Sequence, residues 1–127
     1  MIALDTDILI DILRNYAPAI QWLLQLGPGE IAIPGFVAME LVQGCRDSVE
    51  QVKVEQFLNR FIVVWPSAQT CDAALTVFIE RRLSHNLGLL DALVGQTARE
   101  LSLPLHTFNQ KHYRAIPDLQ TVQPYMR

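Results

Sequence analysis

The 127-residue sequence lacks several features that would assign it to a common class of protein. It has two cysteines, Cys45 and Cys71, without CxxC spacing and without the density of a disulfide scaffold, so we expect reduced, buried thiols. The apolar start of the chain carries Asp5, Asp7 and Asp11 and no early Lys or Arg, the reverse of a signal peptide. No apolar run approaches the roughly 18–20 residues that span a bilayer. We therefore expect a cytoplasmic protein with no membrane segment.

Motifs of nucleophilic and nucleotide-binding enzymes are also missing. No serine lies in a Gly-x-Ser-x-Gly turn, neither cysteine has a neighbouring base, and the sequence contains no glycine-rich phosphate loop. The net charge of −3, with histidines neutral, argues against a protein that holds nucleic acid by bulk charge alone. A local basic patch on an acidic body remains compatible with that charge.

Apolar content and periodicity indicate one folded unit. Half of the residues are apolar and 18% are charged, so residues 1–127 are predicted to form a single compact domain with its own core. Short apolar runs alternate with longer helical patterns, which predicts an α/β fold with a mostly parallel sheet of four or five strands flanked by helices.

The predicted elements follow from this alternation. The strands are expected at 2–5, 31–33, 62–65 and 105–108, with a short fifth strand at 121–123 on an edge. Helices are expected at 8–14, from Pro18 to near Gly27, at 36–45, after Asp47 or Ser48, at 67–85 and at 90–101. We expect Thr6 or Asp7 to cap the first helix, and the Asn86 turn to end the longest one.

Three carboxylates interrupt apolar runs in which a simple core would not place them: Asp5, Glu40 and Asp91. A buried, unpaired carboxylate costs several kcal/mol or gives up its charge by binding a proton. Predicted strand ends would bring the three acids to the carboxyl edge of the sheet, where α/β proteins have their reactive crevice. A shared divalent cation would supply the missing positive charge, and Mg²⁺ and Mn²⁺ prefer carboxylate oxygen.

Each of these side chains also has a purely structural explanation. Asp5 or Asp7 could cap a helix, although Asp7 fits a cap better because Asp5 belongs to the predicted strand. Glu40 could face water, and Asp91 could be the N-cap of its own helix. Asp11 is expected to be solvated.

Polar side chains also follow the predicted fourth strand. Asn109 could contribute to a site or could be a turn residue, and His112 could start a helix. His85 and His106 have no partner spacing and are expected to be structural. Basic residues could form a phosphate-binding rim or could simply be solvated: Arg81, Arg82, Arg99, Lys111 and Arg114.

Four segments of the sequence resemble the PIN domain, and the nearest subgroup is the VapC-type toxins of bacterial toxin–antitoxin pairs. The similarity lies in their order and spacing across essentially the whole chain. The segments are 4–10 (LDTDILI), 39–44 (MELVQG), 91–95 (DALVG) and 107–113 (TFNQKHY).

The resemblance implies a Mg²⁺- or Mn²⁺-dependent ribonuclease with an RNA substrate, a homodimer, and a small antitoxin that blocks the site. Asp5, Glu40 and Asp91 fall on the acidic positions of the family, which implies metal-binding and catalytic roles. Many members carry a fourth acid near the last motif, where this chain has Asn109 and His112. Asn109 would then supply a neutral catalytic oxygen, and His112 could touch a phosphate.

Two other functions remain open at this point. A PIN-like fold could serve as a non-catalytic antitoxin- or RNA-binding module, since fold alone does not give function. The Asp5-x-Asp7 pair after an apolar strand also resembles the aspartyl phosphatases of the haloacid dehalogenase type, but the later motifs of that class are missing.

The high apolar content predicts surface patches at interfaces, because so small a core cannot hide every apolar side chain. Two helices are the expected interface surfaces, and the antitoxin is expected over the first of them. The first helix carries Ile20, Trp22, Leu23 and Leu26, and the second carries Val52, Phe57 and Phe61.

Overall fold

The computed structural model describes residues 1–27 and 29–127, which form five strands and seven helices. The strands are β1 (Ile2–Leu4), β2 (Ile31–Pro34), β3 (Ile62–Val64), β4 (Leu105–His106) and β5 (Thr121–Val122). The helices are α1 (Thr6–Leu13), α2 (Ala17–Leu23), α3 (Gly35–Gln43), α4 (Ser48–Leu58), α5 (Ala68–His85), α6 (Leu89–Glu100) and α7 (Gln110–Tyr113).

The strands form one sheet in the order β3-β2-β1-β4-β5, and every neighbouring pair is parallel. The predicted α/β fold is therefore confirmed, with five strands and with β5 on the edge as expected. Because the chain adds strands on one side of β1 and then on the other, the order reverses between β1 and β4. Ligand crevices of open α/β sheets lie at such a reversal, beyond the carboxyl ends of the strands.

The core lies where helix faces meet the sheet. Its fully buried side chains come from the central strands and from α1, and include Leu4, Ile8, Leu9, Ile33 and Leu105. Helix α1 buries Ile8, Leu9 and Ile12 at helical spacing, which fixes its N-terminus beside the end of β1.

Helix boundaries agree with most of the predicted capping signals. Asp47 caps α4 by accepting a 2.8 Å hydrogen bond from the Glu50 amide, and Ser67 caps α5. Asn86 ends α5 in the left-handed conformation at φ 52°, as predicted. None of the helices in residues 1–27 and 29–127 is long and apolar enough to cross a membrane.

Two predictions about acidic residues, for Asp7 and Asp11, were wrong, and so was the alternative that Asp91 caps its own helix. Asp5 is the N-cap of α1, so Asp7 lies inside the helix and β1 stops at Leu4. Asp91 lies in the first turn of α6, whose N-cap is Gly88. Asp11 is buried at 9% exposure, because it accepts hydrogen bonds from side chains far along the chain.

Candidate active site

The candidate site lies at the carboxyl ends of β1, β2 and β4. Asp5 follows β1 directly, and Thr107 follows β4 directly. Glu40 lies in the second turn of α3, which starts at the end of β2, and Asp91 lies in the first turn of α6. The predicted convergence of separate segments on this edge of the sheet follows from the parallel strand order.

Asp5 is the most completely bonded carboxylate of the site. Its Oδ1 accepts a 2.8 Å hydrogen bond from the Thr6 amide. Its Oδ2 accepts from the Tyr113 hydroxyl at 2.9 Å and from Thr107 Oγ1 at 2.9 Å. The side chain is 6% exposed and caps the N-terminus of α1. Its three donors come from α1, from the loop after β4 and from α7, and together they fix its orientation.

Asp91 lies within the electric field of the other two acids. Partial burial raises the pKa of its carboxyl most, and the negative charges of Asp5 and Glu40 raise it further. The opposing influences are His112, whose Nδ1 lies 3.9 Å from Asp91 Oδ2, and the Tyr113 hydroxyl. Tyr113 therefore links Asp5 and Asp91, since it stabilises the ionised form of both.

Glu40 faces the site and not the open solvent. Its side chain is half-buried, and Oε1 accepts a short hydrogen bond from Thr6 Oγ1. Thr6 thus joins two of the three acids, with its amide on Asp5 and its hydroxyl on Glu40. The alternative that Glu40 simply faces water is wrong.

Asp7 holds the loop between β4 and α7 against α1. Its Oδ2 accepts a 2.8 Å hydrogen bond from the Phe108 amide, and the Asn109 side-chain amide lies 3.4 Å from the same oxygen. Asn109 therefore reaches the site through Asp7. The backbone amide of Asn109 donates to Thr107 Oγ1 at 3.0 Å, and Thr107 in turn donates to Asp5.

The electrostatics of the site show an excess of negative charge. Burial raises the pKa of the Asp5 carboxyl above its usual range, and the neighbouring charge of Asp7 adds to the increase. Burial, followed by the charges of Asp5 and Asp91, holds the pKa of the Tyr113 hydroxyl far above its ordinary value. Tyr113 is consequently a permanent hydrogen-bond donor to the carboxylates. These shifts are typical of sites that bind a cation.

The donor set fits a hard divalent cation that keeps part of its water shell. Across the described ranges, the one contact of Asp5, Glu40 or Asp91 with a basic side chain is that of Asp91 Oδ2 with His112 Nδ1, at 3.9 Å. No three His, Cys, Asp or Glu side chains in those ranges are grouped closely enough to hold an ion by themselves. Mg²⁺ commonly binds through one or two carboxylates plus water and substrate phosphate, so a site of this kind would need only Asp5 and Asp91 from the protein. A three-ligand site that includes Glu40 stays a prediction.

Two of the five basic residues considered for a phosphate-binding rim have partners outside the site, whereas Lys111 and Arg114 lie in and directly after α7. Arg99 lies eight residues after Asp91, near the C-terminal end of α6. It pairs with Asp118 at 3.6 Å. Arg82 lies on α5, with its guanidinium carbon 6.0 Å from the Phe78 ring centroid. His112 is the basic side chain that the structure places in contact with a site carboxylate.

Patterns in the sequence give no sign of the hydrogen bonds by which Thr6 and Tyr113 orient the acids. They identify Thr6 only as a possible cap and Tyr113 only as part of a family motif. The hydrogen bond from Tyr113 to Asp5 spans 108 positions, so no local pattern announces it. The available signal was a hydroxyl-bearing aromatic residue four positions after Asn109, in a segment already expected at the site.

The fold and the site together define an α/β protein with an acidic site at the carboxyl edge of a five-stranded parallel sheet. The PIN domain profile matches residues 2–116, and the chain belongs to the PIN domain family.

Two similar proteins support the VapC-type subgroup of this family. Ribonuclease VapC10 of Mycobacterium tuberculosis is 33% identical over 122 residues, which cover 94% of this chain and 91% of that protein. Ribonuclease VapC19 of the same organism is 34% identical, with coverages of 92% and 95%. The predicted resemblance to VapC-type PIN domains is therefore confirmed.

Solved structures show the same architecture. A toxin–antitoxin complex from Klebsiella pneumoniae contains a chain with a TM-score of 0.79 and 28% identity over the full length of both chains. VapBC2 from Rickettsia felis, bound to a DNA fragment from its promoter, gives a TM-score of 0.80 and 26% identity, covering 96% of this chain and 98% of that one.

Proposed function

We propose that this chain is an endoribonuclease of the VapC type that hydrolyses RNA phosphodiester bonds with Mg²⁺ or Mn²⁺. The observation that carries the proposal is the pair Asp5 and Asp91, two acids 86 positions apart in the sequence: burial raises the pKa of both carboxyls, and the charge of Asp5 raises that of Asp91 further. The similarity to two proteins named as ribonucleases supports the same activity.

Asp5 and Asp91 are the residues that would hold the cation. Glu40 accepts a hydrogen bond from the hydroxyl of Thr6, the residue that follows Asp5. Such an ion, when bound, would activate water as the nucleophile and neutralise charge developing on the phosphoryl oxygens. Tyr113 and Thr107 keep Asp5 in one orientation, and fixed outer partners of this kind tune ligand basicity. His112, half-exposed beside Asp91, is placed to contact a substrate phosphate.

The test is cleavage of total RNA and of a tRNA panel by the purified chain, in Mg²⁺, in Mn²⁺ and in excess chelator. We expect cleavage with either metal and none with chelator. Cleavage that persists in chelator would contradict the metal-dependent mechanism. Binding of Mn²⁺ in calorimetry without any cleavage would favour the non-catalytic binding module.

The aspartyl phosphatase alternative is not favoured. The later motifs of that class are missing from the sequence, and the PIN domain profile matches residues 2–116. The cytoplasm is the compartment we propose for this activity.

A small antitoxin is the proposed protein partner, as in the similar toxin–antitoxin complex from Klebsiella pneumoniae. A cavity of about 640 Å³ between α1, α3 and α4 joins the site at Thr6 and Glu40. Its walls combine apolar residues with charges of both signs, from Arg14, Arg46 and Lys53 and from Glu40 and Glu50, and Glu50 is paired with Arg46 at 2.6 Å. This groove replaces α2 as the proposed path of the antitoxin, and a basic side chain in it would neutralise Glu40. Co-expression with a short upstream reading frame, followed by co-purification, tests the partner.

A homodimer is the proposed assembly. Met39, Trp65 and Leu89 are 56%, 58% and 61% exposed around an apolar cavity of about 690 Å³ beside Glu40. The helix expected earlier, α4, is less suitable because its Phe57 is buried in the core. Sedimentation should show a dimer for the wild type and for Leu101→Lys, but a monomer for Met39→Lys. A wild-type monomer at high micromolar concentration would contradict the dimer.

A further inference from the structure

The segment after β5 crosses back over α1 and ends beside the candidate active site. The Tyr125 hydroxyl donates a 2.7 Å hydrogen bond to Asp11 Oδ2, and Arg127 Nε donates to the same oxygen at 3.0 Å. Asp11 is a nearly buried carboxylate on α1, and these two donors supply the partners that its burial demands. Residues 125–127 are thus attached to the helix that begins at Asp5.

Arg127 also contacts the loop that carries the predicted catalytic Asn109. Its guanidinium carbon lies 4.2 Å from the centroid of the Phe108 ring, a cation–π distance, and Nη2 lies 3.5 Å from the Asp7 carbonyl oxygen. The Tyr125 ring packs edge-on against the same Phe108, with ring centroids 5.0 Å apart. Phe108 is therefore held between two side chains of one short segment.

Phe108 in turn belongs to a loop whose hydrogen bonds reach the site. Its amide donates to Asp7 at 2.8 Å, and its neighbour Thr107 donates to Asp5 at 2.9 Å. The same loop leads into α7, which carries His112 and Tyr113. A displacement of Phe108 would consequently move the groups that orient both Asp5 and Asp91.

We propose that Arg127 and Tyr125 are positioning residues of the active site: they fix the loop between β4 and α7 against α1 and so set the geometry of the carboxylates. The inference rests on the proposed ribonuclease function, and neither residue is assigned a contact with RNA. The planar guanidinium is suited to this role because one group can bind a carboxylate along its edge and cover an aromatic ring with its face.

The kinetic test compares Arg127→Met with Arg127→Lys, Tyr125→Phe and the control Arg60→Met, an exposed arginine at the opposite end of the sheet. Small displacements at an active site can cost about 100-fold in rate, so we expect Arg127→Met to lower kcat roughly 10- to 100-fold. KM should change less than about twofold, since no substrate contact is lost. Lys should restore part of kcat, and Arg60→Met should behave as wild type.

Two kinetic outcomes would overturn the proposal. A rise in KM with unchanged kcat would make Arg127 a substrate-binding residue. A lower melting temperature with unchanged kcat, measured where the variant is folded, would leave Arg127 with a role in stability alone.

Hydrogen exchange provides a test that does not depend on ribonuclease activity. The Phe108 amide should be protected in wild type and in Arg60→Met, and should exchange at least about 10-fold faster in Arg127→Met, because the ring that anchors it is released. Equal protection in Arg127→Met would overturn the proposal even if the wild type cleaves RNA. If the Phe108 amide exchanges faster in Arg127→Met but the wild type cleaves no RNA, the structural inference is retained and the proposed function is refuted instead.

Discussion

The Tyr113 hydroxyl donates a 2.9 Å hydrogen bond to Asp5 Oδ2, joining the first and last segments of the candidate site. Because burial and the neighbouring carboxylates keep this hydroxyl protonated, it acts as a fixed donor at any ordinary pH. Tyr113→Phe should therefore lower Mn²⁺ affinity and RNA cleavage about 10- to 100-fold, the usual cost of removing an outer partner of a metal ligand.

Calorimetry and cleavage rates measure the effect of Tyr113→Phe. The matched control is Tyr16→Phe, since the Tyr16 hydroxyl makes no side-chain hydrogen bond in the described part of the structure. Equal metal affinity in wild type and Tyr113→Phe would show that Asp5 keeps its orientation without the hydroxyl.

Asp5→Asn tests the central carboxylate. The change removes a charge and almost no volume, so the fold should persist while metal-dependent cleavage falls by roughly 100-fold or more, beyond the cost of an outer partner. Asp72→Asn, on the exposed face of α5, is the control and should cleave as wild type. Equal rates for wild type and Asp5→Asn would leave the nuclease proposal without support.

Asn109→Ala should reduce cleavage less than Asp5→Asn does. The Asn109 side chain is exposed and reaches the site only through a 3.4 Å contact with Asp7, so we expect a loss below about 10-fold. Its counterpart Asn109→Asp would place two carboxylates side by side, and should lower the melting temperature in chelator but recover it in Mn²⁺. A loss for Asn109→Ala as large as for Asp5→Asn would instead identify Asn109 as a direct ligand.

Metal-free stability should depend on pH through Asp5 and Asp91. Their folded-state pKa values are raised above 3.8, so proton uptake favours the folded state. The stabilisation is fully present below 3.8 and is lost as pH rises through the raised pKa values. His106 acts in the opposite direction, because burial lowers its pKa and protonation therefore opposes folding.

The measurement is the melting temperature in chelator at about pH 5 and about pH 7.5, for wild type and for Asp5→Asn. Because His106 is common to both, the difference between the two proteins isolates the carboxylate. Wild type should lose more stability than Asp5→Asn as pH rises, and Mg²⁺ should remove most of that difference. An equal change of melting temperature with pH in the two proteins would indicate that ionisation of Asp5 does not destabilise the fold.

The strand positions, two helix ends and the acidic positions can be predicted from sequence because they follow from local patterns. Alternation of apolar runs located the strands, and Asp47 and Asn86 marked helix ends correctly. Local patterns did not predict the environment of a side chain whose hydrogen-bond partners lie far away in the sequence. Asp11 was expected in water because nothing near it in sequence shows that Tyr125 and Arg127 bind it.

The same limit explains the assignment of Asp5 and Asp7. Either acid can cap a helix, so the choice between them depends on partners beyond the local sequence. The bond from the Phe108 amide to Asp7 and the bonds from Thr107 and Tyr113 to Asp5 decide it. These partners come from segments more than 100 positions away, as the separations of the side-chain contacts show.

The position of β1 between β2 and β4 has a consequence for synthesis on the ribosome. The strand made first cannot acquire its second neighbour until residues Leu105 and His106 have emerged, so Asp5 waits for Thr107 and Tyr113 through most of translation. Chains are extended at about 5–20 residues per second, which leaves a nascent chain with an incomplete site for several seconds. A polypeptide released early by a stalled ribosome would lack the donors that orient Asp5, so its candidate site would remain unformed.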